Sequence, residues 1–242
     1  REIFRRLTGV DVEMFLEMFE QITPLWENRR DNFNQGGCPH SLDGIANHLL
    51  AMLIYYRSYI SYAFLGILCD VHETTAMRSV KRIEKLAVRV IHIEKKRELT
   101  KEEVSYLIID ATEQPVQRPE KRQKRYYSGK KKRPTHKVQL TVDSKGKIHA
   151  VSPTHPGKKH DLKVHQGQKK RYQFLGVPKK GDSGYQGLGQ KDTHAQIPHK
   201  KPKGGTLSKA QKRENQALSK ERIRVENTIR EVKIFRIMAD PY

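Results

Sequence analysis

Three carboxylates stand apart from the other acids in the second half of this 242-residue chain. Asp110 ends the apolar run Ser105-Tyr106-Leu107-Ile108-Ile109, which reads as a buried strand delivering an acid to the edge of a sheet. Asp182 lies in Gly181-Asp182-Ser183-Gly184, where glycines let the backbone turn sharply. Glu226 borders the apolar stripe Val225, Ile229 and Val232 of a long helical pattern. Separations of 72 and 44 residues let each acid come from a different element and converge. Three converging carboxylates supply hard oxygen ligands. They can hold a pair of Mg²⁺ ions about 4 Å apart, one activating the attacking oxygen and one stabilising the leaving oxygen of a phosphodiester. Plainer readings stay open: a turn-opening Asp110, and a solvated Glu226 paired with Arg222 or Arg230 one turn away.

The remaining acids of residues 105–242 have ordinary settings. Glu113, Glu120, Asp192 and Asp240 read as loop or tail residues, Asp143 as a hairpin turn, Asp161 as a helix opener, and Glu214, Glu221 and Glu231 as a solvated helix face. The 11 histidines and 2 cysteines form no HExxH or His/Cys cluster, which argues against zinc. Cys38 and Cys69 suit reduced thiols, and with no apolar run long enough to span a membrane and no signal-peptide centre at the start, a cytoplasmic protein is expected.

Charge separates the halves. Residues 1–104 carry 15 basic and 15 acidic residues, so the entire +21 excess lies in residues 105–242. Such a field attracts polyanions and makes binding to nucleic acid steeply salt-dependent. Its densest part, Arg118 to Lys137, holds ten bases and one acid around Tyr126 and Tyr127, a composition suited to a phosphate backbone with rings free to stack. A disordered basic loop is the alternative.

These residues need elements to position them. The spacing predicts a helix over about 10–22 ending before Pro24, and a second capped by Ser41 with Ile45, Leu49, Met52, Leu53 and Tyr56 buried. A short helix over Tyr62–Cys69 and a longer one over Glu73–Val90 follow, then a charged link from Glu94 to Glu103. The longer helix has an apolar stripe and a basic face of Arg78, Arg82, Lys85 and Arg89; it fits either the second helix of a helix-turn-helix or a solvated surface helix. In the basic half, His136–Val142 and Lys147–Val151 read as a hairpin joined to the opening strand. His160–Tyr172 reads as a crossover helix, Ile197–Lys200 as an edge strand and Ser208 to about Met238 as one helix.

Four blocks in order carry a resemblance: Ile109-Asp110-Ala111-Thr112-Glu113; Tyr126-Tyr127-Ser128-Gly129-Lys130-Lys131-Lys132; Gly181 to Gly187; and Arg224-Val225-Glu226-Asn227-Thr228-Ile229-Arg230 with Phe235-Arg236-Ile237. Together they resemble the DDE transposases of bacterial insertion sequences, in the insertion-sequence-five-like branch related to Harbinger-type elements. Ser41 to Val90 is similar to that family's helix-turn-helix region. The resemblance implies an α/β architecture: a helical, helix-turn-helix-like DNA-binding domain over 1–104, then a ribonuclease-H-like catalytic domain over 105–242, a mixed sheet flanked by helices. Asp110, Asp182 and Glu226 would bind Mg²⁺ in two-ion form, with Mn²⁺ able to substitute, and a homodimer or larger assembly would act on terminal inverted repeats and target DNA. The expected DNA contacts are Arg78, Arg82 and Lys85; Arg122, Lys124, Arg125, Tyr127, Lys130, Lys131, Lys132 and Arg133; and Arg222 and Arg230 beside Glu226. The strand before Asp182 is weakly written as Val177-Pro178-Lys179-Lys180, and the chain ends at Tyr242, before the tail usual in the family. A repurposed DNA-binding protein and a structure-specific nuclease are the alternatives.

Overall fold

The computed structural model describes residues 1–31, 42–91, 99, 103–169, 173–174, 176–190 and 192–241. The chain divides into two compact units, residues 1–92 with 233–240 and residues 93–232 with 241–242. The C-terminal segment expected to stay with the second half therefore belongs, over 233–240, to the first.

The first unit contains five α-helices among its described residues, α1 (Glu2–Thr8), α2 (Val12–Asp31), α3 (Ile45–Ser58), α4 (Tyr62–Leu68) and α5 (Glu73–Val90), and a 3-10 turn at Arg236–Met238. Helix α1 is too short to leave a periodic signal. Helix α2 runs on through Pro24 instead of stopping before it, with Ile22 and Trp26 on either side of the proline buried in the core. The α3 N-cap is Gly44, not Ser41, which lies outside the described residues. The expected face of α3 is buried at Ile45, Leu49, Met52 and Leu53, with Tyr56 half-buried. Phe235 from the returning segment packs on this core, close against Gly9, where φ of +81° ends α1 in the left-handed region.

Helices α4 and α5 are joined by a tight connection. The sequence shows no glycine there because Asp70 takes the left-handed conformation, φ 51°, which aspartate tolerates. The glycine that matters is inside α4: a Cβ on Gly66 would stand 2.6 Å from the carbonyl oxygen of Val71. The N-cap of α5, His72, accepts from Thr74 N. Ala76, Val80, Ile83, Leu86 and Ala87 bury one face of α5, leaving Arg78, Lys85 and Arg89 exposed and Arg82 half-buried.

The second unit is built on a mixed sheet. Its strands are β1 (Leu107–Pro115), β2 (Tyr127–Ser128), β3 (Arg133–Asp143), β4 (Ile148–Val151), β5 (His155–Pro156), β6 (Lys179–Lys180) and β7 (Ala195–Gln196). The order is β2-β3-β1-β6-β7, with β4 and β5 also pairing β3. Strands β1 and β3 are antiparallel from Leu107 opposite Asp143 to Pro115 opposite Thr135, whereas β6 runs parallel to β1 and β7 parallel to β6. This is the mixed sheet expected, antiparallel on the β3 side of β1 and parallel on the β6 side. The edge strand falls at Ala195–Gln196, just before the segment expected to form it.

Helices flank the sheet. The helix α6 (Gln123–Tyr126) precedes β2, α7 (Asp161–Gln166) follows β5, and α8 (Lys209–Lys233) crosses one face. Helix α7 is shorter than the predicted crossover because it is capped at Gly167. Val225 of α8 is fully buried with Ile108, Leu140 and Val142, and the Thr228 hydroxyl donates to the Gly146 carbonyl at 3.2 Å, fixing α8 over the β3–β4 hairpin. Alternation along β1 sends the neighbouring Ile109 into a different cluster, with Tyr185 and Leu188. The link from Glu94 to Glu103 lies largely outside the described residues.

Candidate active site

Asp110 sits midway along β1, in register with Leu140 of β3. It shares the parity of Ile108 and so lies on the face of the sheet that α8 covers. Its Oδ1 accepts from the Ala111 amide at 2.9 Å, and Oδ2 lies 3.9 Å from Nη2 of Arg222 on α8. Burial raises its carboxyl to a pKa of about 6; Arg222 and Lys130 pull it down, and the neighbouring charge of Asp182 pushes it up further.

Asp182 is placed by β6 and the turn that follows. Two residues of strand suffice because both lysines are buried and paired. Lys179 Nζ donates to Asp192 Oδ2 and, at 3.2 Å, to the Val177 carbonyl, while Lys180 Nζ donates to Glu221 of α8 and lies 3.7 Å from the centroid of the Tyr106 ring. Asp182 then caps a single 3-10 turn, Ser183–Tyr185, with Oδ1 accepting from Gly184 N at 2.8 Å.

Around this pair lie groups that the sequence reading assigned elsewhere. Asp161, at the start of α7, does open a helix, but its Oδ2 also lies against Gly184 beside Asp182 Oδ1. Its Oδ1 accepts from Lys137 Nζ at 2.8 Å, and Lys137 also approaches Glu113 Oε1 at 3.5 Å. Glu113 is thus a buried strand residue, not a loop residue, and Asp192 is likewise buried. Glu221 is shared between solvent and Lys180. Only long-range pairing identifies these acids; a lone Glu or Asp in a polar stretch carries no such signal. Behind them, Tyr185 is fully buried, donates to Gln139 at 3.2 Å, and has its hydroxyl pKa raised well above normal by burial and by Asp110, Asp161 and Asp182. Gln139 in turn contacts His165 Nδ1 at 3.2 Å, and burial lowers His165 to about 4, so the ring is neutral.

The three predicted acids are not gathered into one cluster. Among the described residues no group of three or more His, Cys, Asp or Glu is arranged to hold a metal ion. Asp110 and Asp182 are neighbours; Glu226 is exposed. The buried stripe of Leu218, Val225 and Thr228 sets the roll of α8, turning Glu226 outward and bringing Arg222, one turn earlier, to Asp110. Two neighbouring carboxylates, one of them poorly solvated, remain a fitting donor set for a hard divalent cation, since Mg²⁺ commonly uses one or two carboxylates with water and phosphate oxygens completing its shell.

The basic segment is ordered around a turn. Lys132 N donates to Ser128 O at 2.8 Å and Lys131 N to Ser128 Oγ at 3.2 Å, closing the β2–β3 hairpin. Arg122, Lys124, Arg125, Tyr127, Lys130, Lys131, Lys132 and Arg133 are all exposed, as is Arg230 on α8. Lys137, at the end of the same segment, is buried and belongs to the acid network.

Residues 109–242 match the family model of the DDE superfamily endonucleases, and residues 40–90 match the helix-turn-helix of DDE superfamily endonucleases. The chain belongs to the DDE endonuclease superfamily. A relative from Microchaete diplosiphon, named "Probable transposase for insertion sequence element IS702", is 30% identical over 243 residues, covering 99% of this chain and 86% of that protein. No solved structure matches. This DDE endonuclease is thus of the transposase family, and its helix-turn-helix region contains α3, α4 and α5. Among the described residues, no helix is long and apolar enough to cross a membrane.

Proposed function

We propose that this chain is a divalent-metal-dependent DNA transposase that cuts a phosphodiester at the ends of its element and joins the freed 3′-OH to target DNA in the cytoplasm. One observation carries the reading: Asp110, poorly solvated, and Asp182, from a separate segment, are neighbouring carboxylates within a strongly basic unit. In hydrolysis, a water oxygen attacks phosphorus and the leaving oxygen departs as a 3′-OH. In the joining step, that 3′-OH attacks a target phosphorus and displaces another 3′-oxygen, so no outside energy source is needed.

Asp110 and Asp182 would hold the cation, Mg²⁺ or Mn²⁺, while Glu226, the third acid of the resemblance, is exposed on α8 and would join them only if the helix turned. The bound ion supplies Lewis-acid stabilisation of charge on the phosphodiester oxygens. The chain's own residues do the rest. The exposed bases from Arg122 to Arg133, with Arg230, neutralise phosphates that the acids would repel, and α5 reads the element end through Arg78, Arg82 and Lys85. A homodimer on paired ends would present two such sites.

The exposed position of Glu226 favours a second reading, a transposase-derived protein that binds DNA without cutting it. Incubating the full chain with inverted-repeat duplex and Mg²⁺ separates the two. Nicked product that disappears with chelator supports the enzyme; a bound, uncut duplex supports the binder.

A further inference from the structure

The acid pair already has a cation beside it. Arg222 Nη2 approaches Asp110 Oδ2 at 3.9 Å, with both side chains largely out of water, 14% and 18% exposed. That distance is an ion pair without a hydrogen bond, and the buried Nε of Arg222 has no hydrogen-bond partner. The guanidinium is therefore held mainly by charge and is poorly satisfied, an arrangement that a better cation can replace.

Other bases near the pair are committed elsewhere. Lys137 is held by Asp161, Glu113 and the Lys159 carbonyl, Lys180 by Glu221, and Lys179 by Asp192. Lys130 is exposed on the hairpin. Asp110 Oδ1 already accepts from the Ala111 amide, whereas Oδ2, the oxygen facing Arg222, accepts no hydrogen bond from it and is the freer of the two for a ligand. Arginine does not deprotonate in proteins, so its charge leaves the site only if the side chain moves.

Resting on the metal-dependent reading above, we infer that Arg222 is the resident counter-ion of Asp110 in the metal-free protein, that metal binding displaces it, and that it thereby sets the metal affinity of the site. A guanidinium in this place competes with the metal for Oδ2 and repels it. Its release also hands a free arginine to the DNA backbone beside Glu226, one helical turn on.

The test is Mn²⁺ binding to the full chain without DNA, followed by electron paramagnetic resonance at neutral pH. Arg222→Gln and Arg222→Met, the second keeping an apolar stem, should each bind Mn²⁺ about tenfold more tightly than the parent. Adding Asp110→Asn to either variant should abolish that binding. Equal or weaker affinity in both neutral variants, with parent binding intact, overturns the role of Arg222 and leaves the acid pair standing as a metal site. Mn²⁺ binding in none of the proteins removes both.

Discussion

Asp161 Oδ2 and Asp182 Oδ1 converge on the α-carbon of Gly184: a methyl group there would stand 2.5 Å from the first and 2.9 Å from the second. Both distances are shorter than real carbon contacts, and Asp161 is held in place by Lys137. Gly184→Ala should therefore displace Asp182, lowering metal-dependent cleavage at least about tenfold and stability by about 1–3 kcal/mol. Gel-shift binding through the helix-turn-helix should persist. Unchanged cleavage would show that the Asp182 carboxylate is not needed where the turn holds it.

Asp110 and His165 give opposite dependences on pH. The folded pKa of Asp110 is raised to about 6 by burial, so the native state holds its proton more tightly than the unfolded chain, and stability is lost as pH rises from about 4 through 6. Asp110→Asn should stabilise the protein by about 1–3 kcal/mol at pH 8, with the gain gone below about pH 4. Urea unfolding at the two pH values checks it. At limiting Mg²⁺, cleavage should also fall as pH drops, because protons compete with the metal for Asp110. His165 works the other way: with its pKa lowered to about 4 by burial, stability is lost as pH falls from about 6.5 towards 4.

The pair Lys179–Asp192 holds β6 in the sheet, with the two side chains 0% and 5% exposed. Asp192→Asn leaves a buried ammonium without its counter-charge and should cost about 3–5 kcal/mol. Because Asp182 lies two residues beyond β6, cleavage should fall with stability. A variant as stable as the parent in urea unfolding would mean that the strand is held by its backbone pairing alone.

DNA binding should separate by unit. Replacing Arg78 and Lys85 with Gln is expected to reduce discrimination between element-end and random duplex. Replacing Lys130, Lys131 and Lys132 with Ala should weaken binding to both and lower the slope of log affinity against log salt by about 2–3. Competition gel shifts across a salt series measure both effects. Unaltered end recognition in the first variant would return α5 to being a solvated surface helix.

What could be read from the sequence follows from which signals are local. Helix α5 has the bounds its spacing predicts, because its apolar and basic faces repeat with the helical period. Strands β1 and β3 were legible from apolar runs and alternation. Strand β6 was not: it is two lysines, and what buries them is Asp192 and Glu221, 13 and 41 residues away. Glu113 reads as a loop residue for the same reason, since its partner Lys137 comes from the facing strand, while Asp161 opens α7 as expected and only that same lysine ties it to the other acids. Asp110 and Asp182 do come together, but no pattern on α8 says whether Glu226 or Arg222 faces the sheet's acid. That is fixed by how far Val225 and Thr228 turn the helix on seating.

The most direct test is nicking of an end-labelled inverted-repeat duplex by the parent chain and by Asp110→Asn, with Mg²⁺ at pH 8. The parent should produce a nick bearing a 3′-OH that chelator abolishes, and the variant should bind the duplex without cutting it. Equal cutting by the variant, or cutting that persists in chelator, would contradict Asp110 as the centre of a metal-dependent site.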